Sequence, residues 1–356
     1  MPEENRISLL IFPDKYGRIS KPCGMVGVAQ LVRAPDCGSG GRRFDSDHPP
    51  HLLGCSQAVR HGTLTPACVG SNPAIPARKK NKPLTRLFLF PASGGITVNR
   101  SEKQLWLIQA LEKEMPGAAR YPIPEDEEGR WHLLRGLFNI RQPMPAHPEF
   151  LRIQGELLRE LTEEKGVTDW RDLQPCAVNP DLLIWKGDIT TLRCDAIVNA
   201  ANSALLGCFR PNHNCIDNMI HTMAGVELRL KCAEIMEKQG CEEATGRAKI
   251  TPAYNLPSKY VIHTVGPIVE GALTREHCIL LASCYKSCLE IAAQHQCRSI
   301  AFCCISTGVF GFPQQEAAEI AVQTVSDWIR EMSSEIKVIF NVFKDKDLEI
   351  YQKLLT

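Results

Sequence analysis

The chain has 356 residues, 44% of them hydrophobic, enough for two or three domains with buried cores. Lys and Arg number 41 against 40 Asp and Glu, so there is no basic footprint for nucleic acid or an anionic membrane surface, and neither is expected as a partner. Apolar runs such as residues 87–91 and 337–343 fall well short of a bilayer span. The 16 cysteines are scattered rather than spaced as a disulfide framework, and the Met-Pro-Glu-Glu-Asn start lacks a basic-then-apolar leader, which points to the reducing cytoplasm.

Residues 23–77 carry neither helical nor strand periodicity and are rich in Gly, Pro, Arg and Ser. Back-translation suggests a reason. Residues 28–33 can be coded by GTA GCT CAG TTG GTT AGA, like the D-arm of a transfer RNA gene; residues 43–46 and 70–73 fit its T-arm in two different frames. Residues 1–97 are therefore expected to be non-globular, a spurious translation of upstream tRNA-like sequence with the true start near Val98, the alternative being a genuine disordered extension. The irregular spacing of Cys23, Cys37, Cys55 and Cys68 argues against a zinc site there.

Helical periodicity begins near Glu102, with Leu105, Leu107, Ile108, Leu111 and Met115 on one face, ended by Pro116-Gly117. A second helix is predicted over residues 126–139 and a third over 147–164, separated by a proline-rich break. Residues 98–180 thus form a helical extension, too small to bury its own apolar faces and expected to pack on the domain C-terminal to it.

From Asp181 to Thr356 strands and helices alternate. Strands are predicted at residues 182–185, 196–199, 249–254, 260–265, 299–305 and 337–342, and helices at 216–238, 277–294, 314–332 and 345–354. Strands this apolar on both faces need helices on both sides, which gives a three-layer α/β/α sandwich with ligands beyond the carboxyl ends of the strands.

The polar turns at those ends carry the chemistry. Asp188, in Lys186-Gly187-Asp188-Ile189-Thr190, can accept from an exocyclic amine or cap the next turn. Fourteen residues on, Asn202 closes Asn199-Ala200-Ala201-Asn202, offering donor and acceptor to a ribose hydroxyl where small residues let a ligand approach. In Ser306-Thr307-Gly308-Val309-Phe310-Gly311, Gly308 and Gly311 permit unusual backbone angles, so successive N–H groups can converge on a diphosphate, with a helix starting near Pro313 behind them. Between Asn202 and the next helix lie Cys208, His213 and Cys215, spaced C-x4-H-x-C: two thiolates and an imidazole that suit Zn²⁺ and leave one position of a tetrahedral shell open, or alternatively inert buried thiols. Asp217 and His221 are the nearest candidates for a fourth ligand.

The ordered set of these turns, with His263-Thr264-Val265-Gly266-Pro267 between them, resembles the macrodomain family over residues 181–356. The metal-loop string from Leu206 to Gly225 is similar to its zinc-dependent subfamily, which the helical extension also resembles; commoner macrodomains have a glycine-rich loop there. That resemblance implies an ADP-ribose pocket: Asp188 on the adenine amine with the Ile189 backbone nearby, Phe343 stacking on adenine unless it is a core aromatic, Ser306 to Gly311 on the diphosphate, and Asn202 on the distal ribose. It further implies a hydrolase removing mono-ADP-ribose from acidic side chains. Beside zinc, the catalytic candidates are Asn202 and Asp217, the latter orienting a water or a zinc ligand unless it caps its helix. The implied partners are a lipoyl-carrier protein resembling glycine cleavage system H, as the modified substrate, and a sirtuin-type ADP-ribosyltransferase. A non-catalytic reader of ADP-ribosylated proteins is the alternative, and a purely structural zinc a third reading.

Overall fold

Three helices open the described part of the chain. The computed structural model describes residues 99–115, 117 and 122–356, all within one compact unit, Pro83–Thr356; the expectation for residues 1–97 lies outside the described residues. Helix α1 (Arg100–Glu114) is set by a capping box, Asn99 Oδ1 accepting from the Glu102 N–H at 2.9 Å while Glu102 reaches back to the Asn99 N–H. Helix α2 (Glu127–Ile140) is capped by Asp126, and α3 (Pro148–Lys165) starts on a proline and stops at Gly166. Their apolar stripes, among them Leu107, Leu111, Leu134, Leu137, Ile153 and Leu157, are buried in the same core as the strands of the sandwich. Each such side chain contributes about 1.5–3 kcal/mol by leaving water.

The next strands are β1 (Thr168–Asp169), β2 (Pro175–Cys176), β3 (Asn179–Lys186), β4 (Leu192–Arg193) and β5 (Ala196–Ala201). Then come helices α4 (Ile216–Ala224) and α5 (Val226–Gln239), strands β6 (Ala248–Pro252) and β7 (Tyr260–Val265), helix α6 (Arg275–Gln294), β8 (Ser299–Phe302), α7 (Gln314–Met332), β9 (Lys337–Val342) and α8 (Asp345–Leu354). The main sheet has the order β2-β3-β9-β8-β5-β7-β6. Its five inner strands run parallel, with β2 and β6 antiparallel at the two edges. Helices α4 and α5 lie on β5 and β6, with α1 to α3 packed beyond them, and α6, α7 and α8 form the other layer. Strands β5, β7, β8 and β9 are buried along nearly their whole length, which is why both faces carry side chains such as Ile197, Val198, Ile300 and Phe340.

Three sequence expectations need correction. The strand foreseen over residues 249–254 ends at Pro252, and Tyr254 already turns at φ 54°. The helix foreseen over residues 216–238 is two helices broken at Gly225, whose φ of 95° only glycine adopts readily, and where a Cβ would meet Gln154 Nε2 of α3 at 2.5 Å. The strand foreseen to residue 305 stops at Phe302, and Cys303, Cys304 and Ile305 already belong to the turn into the loop beyond. The short strands β1, β2 and β4 carry too few residues for a periodic signal. Among the described residues no helix is long and apolar enough to cross a membrane, and every described cysteine is a free thiol.

Candidate active site

Because β3, β9, β8, β5 and β7 are parallel neighbours, their carboxyl ends open on one edge of the sheet. That edge gathers Asp188, Phe343, the loop from Ser306 to Gly311, Asn202 and Gly266, residues up to 155 positions apart in sequence.

At one end, the Gly187 N–H donates to the Val342 carbonyl at 3.1 Å, and Asn341 Nδ2 donates to the Gly187 carbonyl at 3.0 Å. These bonds fix the Asp188 turn against the end of β9. Asp188 does cap: its Oδ1 accepts from the Thr190 N–H at 3.0 Å and the Thr190 hydroxyl at 2.6 Å, while Oδ2 accepts from Lys165 of α3 at 2.9 Å. Burial pulls its pKa up, but Thr190 and Lys165 more than offset this and hold the carboxyl below its ordinary value. Ile189 turns its side chain into the core. Phe343, one residue past β9, is 74% exposed and therefore not a core aromatic.

The loop after β8 is shaped by left-handed backbone at Ser306 (φ 64°) and Gly311 (φ 69°); Gly308 does not adopt it, contrary to the sequence reading, but a Cβ there would meet nothing within 4 Å. The Ser306 carbonyl accepts from the Phe312 N–H at 3.0 Å, Thr307 Oγ1 donates to the Cys304 carbonyl, and the Phe310 carbonyl accepts from the Val269 N–H at 2.8 Å. Gly266 brings the chain so close that a Cβ there would collide with Ser306 Oγ. Ser306 Oγ is buried without a protein partner, and Val309 is 81% exposed. Pro313 is the residue before α7 rather than its first, and no side chain caps that N-terminus.

Asn202 Nδ2 donates to the Gly207 carbonyl at 3.1 Å, where the metal-loop candidate begins, and its Oδ1 is buried without a protein partner. The donor atoms of Cys208, His213 and Cys215 all lie within 4.8 Å of one another. Cys208 Sγ and His213 Nδ1 are 3.5 Å apart, the separation of donors about 2.3 and 2.0 Å from one tetrahedral ion. Cys215 is the N-cap of α4, its sulfur accepting from the Asn218 N–H at 3.4 Å. Burial first, then the neighbouring Cys208 and Asp217, push the Cys215 thiol up to about 11 despite that bond. Two sulfurs and an imidazole nitrogen at these separations fit zinc, and a bound cation would hold Cys215 as a thiolate.

Neither proposed fourth ligand joins the trio. Asp217 is buried, and its Oδ1 accepts from Asn199 Nδ2 at 2.8 Å rather than capping α4. Burial raises its pKa to about 6, partly offset by Asn199 and by the charge of Arg229. His221 lies 3.5 Å from that carboxylate, but burial and the neighbouring His263 and Arg229 hold its pKa well below 6.5, so the pair is no ion pair.

Residues 198–321 match the Macro domain family. Over 261 residues, 73% of this chain and the whole of the relative, the sequence is 54% identical to a "Protein-ADP-ribose hydrolase" of Treponema medium. The chain belongs to the macrodomain family. This macrodomain is also 43% identical over 241 residues, 63% of the chain and 40% of the relative, to a "Probable bifunctional ADP-ribose hydrolase/ADP-ribosyltransferase" of Fusarium oxysporum f. sp. cubense. A solved Oceanobacillus iheyensis macrodomain with ADP is 41% identical and covers 48% of this chain and 88% of its own, at a TM-score of 0.44.

Two groups around the macrodomain site escaped sequence reading. His221, Cys232 and His263 form a second buried cluster behind Asp217, with Thr251 Oγ1 3.0 Å from His263 Nε2 and Asn199 Nδ2 3.2 Å from His263 Nδ1. Arg135 and Asn139 of α2 reach the metal loop from the helical extension. Their i,i+4 spacing on an apolar helix was the available signal.

Proposed function

We propose that this macrodomain is a zinc-dependent hydrolase that removes mono-ADP-ribose from acidic side chains of a modified protein. The observation that carries the reading is adjacency: Asn202, whose free carbonyl oxygen suits a ribose hydroxyl, bonds the first residue of the loop bearing the Cys208, His213 and Cys215 donors. The hydrolase names of the relatives support the same reaction class.

The remote half of the substrate is anchored first. Backbone N–H groups of the loop from Ser306 to Gly311 and the uncapped start of α7 take the diphosphate, while Asp188 and Phe343 take the adenine. Asn202 orients the distal ribose, so binding energy spent far from the scissile bond places its carbon. Cys208, His213 and Cys215 would hold zinc, which supplies Lewis acidity at that end. Asp217, braced by Asn199 and with its pKa near 6, orients the attacking water. Water adds to the ribose carbon as the carbon–oxygen bond to the side-chain carboxylate breaks, and one proton passes to solvent, yielding free ADP-ribose and an intact Asp or Glu.

A lipoyl-carrier protein resembling glycine cleavage system H as substrate, and a sirtuin-type transferase as the enzyme that writes the mark, rest on the subfamily resemblance; the double name of the fungal relative supports pairing with an ADP-ribosyltransferase. The test is incubation with a protein ADP-ribosylated on Asp or Glu, with and without chelator, following released ADP-ribose and thermal stability together. Loss of release with little change in melting is expected. Binding without release in zinc would favour a reader instead, and melting of the domain by chelator alone would make the zinc structural.

A further inference from the structure

The loop that carries the metal donors has no regular structure from Gly207 to Asn214, yet its backbone is tied down at several points, two of them from α2. Asn212 sits in the left-handed region at φ 54°, next to His213. Its N–H donates to Asn139 Oδ1 at 2.9 Å, and Asn139 Nδ2 in turn donates to Thr222 Oγ1 of α4 at 3.0 Å. Arg135, one turn earlier on α2, donates through Nη2 to the His213 carbonyl at 2.7 Å and to Asn218 Oδ1 at 3.1 Å. Asn218, wholly buried, passes the restraint on: its Nδ2 reaches the Cys208 carbonyl at 3.3 Å and the Arg210 carbonyl at 3.1 Å, and its N–H meets Cys215 Sγ. Gly136 leaves room for this approach, since a Cβ there would meet Asn212 Nδ2 at 3.2 Å.

We infer that α2 of the helical extension is the positioning element of the metal loop: Asn139 holds the Asn212 bend and Arg135 holds His213 and Asn218, so that the three donors stand preassembled around one cation. This rests on the proposed zinc site and extends it to residues outside the α/β sandwich. Each donor residue is reached: Cys208 through its carbonyl, His213 through its carbonyl, Cys215 through its sulfur. Without the α2 bonds, ordering the loop would draw on the binding energy of the ion, which lowers affinity without removing a ligand. Arg135 and Asn139 are positioning residues; neither is a donor of the trio.

The test uses the full chain and two metal probes, Zn²⁺ by chelator competition and Co²⁺ by its visible spectrum, with Arg135→Met, Asn139→Leu and, as control, the exposed Glu128→Ala. Arg135→Met and Asn139→Leu are expected to bind Zn²⁺ about 10- to 100-fold more weakly and to shift the Co²⁺ bands. ADP affinity and the melting of metal-free Arg135→Met should stay near wild type, with partial rescue by Arg135→Lys. Asn139 is buried, so if Asn139→Leu does not fold, half-buried Arg135 decides the matter. Wild-type metal affinity and an unchanged Co²⁺ spectrum in Arg135→Met would overturn the inference alone. A wild-type chain that takes up neither metal would overturn the zinc reading itself, and this inference with it.

Discussion

Truncating Phe343 to alanine separates binding from folding. The ring is 74% exposed and lies one residue beyond Val342, whose carbonyl is bonded to the Gly187 N–H beside Asp188. An exposed ring adds little to the folded state, so the loss of stability should stay within about 0.5 kcal/mol. A base stacked on an aromatic side chain gains roughly 1–3 kcal/mol, and RT of about 0.59 kcal/mol turns that into about 5- to 150-fold weaker binding. Titration calorimetry with ADP-ribose, AMP and ribose 5-phosphate reads it directly. The two adenine ligands should weaken by the same factor, ribose 5-phosphate should be indifferent, and Phe343→Trp should restore affinity. Unchanged AMP binding by Phe343→Ala would refute the stacking argument, as would a large fall in melting temperature.

Asp188→Ala should lose adenine affinity and also about 1 kcal/mol of stability, because the same carboxylate caps the turn at Thr190; Asp188→Asn, which keeps an acceptor for the cap, should lose mainly affinity, and calorimetry with melting curves tells the two apart. Gly225→Ala should destabilise the chain by about 2–3 kcal/mol, from the positive φ and the collision with Gln154, seen as a melting point several degrees lower. In the metal-free protein, burial holds His263 down to about 3 and His221 well below 6.5. Both stay neutral in the fold and gain a proton on unfolding, so their contribution is complete above 6.5 and is lost on acidification. Asp217, raised from 3.8 to about 6, acts oppositely, its contribution being present below about 4 and lost as pH rises through 6. Two histidines act against one carboxylate, so this buried group as a whole should cost stability as pH falls below about 6. Denaturant melts across that range should show the decline, and Asp217→Asn should steepen it; a profile unchanged by Asp217→Asn would contradict the burial argument.

The amphipathic stripes of α1 to α3 and the apolar strands were legible because they repeat at 3.6 or run unbroken between turns, and α7, β9 and α8 begin and end where their patterns do. The break at Gly225 was not, since a lone glycine within a helical pattern does not by itself announce a stop; its φ of 95° and the close approach of Gln154 and Asn255 show only in the fold.

What the sequence determined by itself is local in character: the C-x4-H-x-C donors, the glycines of the loop after β8, the polar residues at strand ends and the order in which they occur. Short spacing limits how such groups can be arranged, so the chemistry can be read before the fold. The tertiary structure decided which of them meet, and what braces them. Asp217 turned to Asn199 instead of capping its helix, His221 joined His263 rather than the metal trio, and Asn139 and Arg135 came to the loop from 73 to 83 residues away. Bonds over such separations leave no periodic trace along the chain, because they exist only once the cores of the extension and the sandwich have become one.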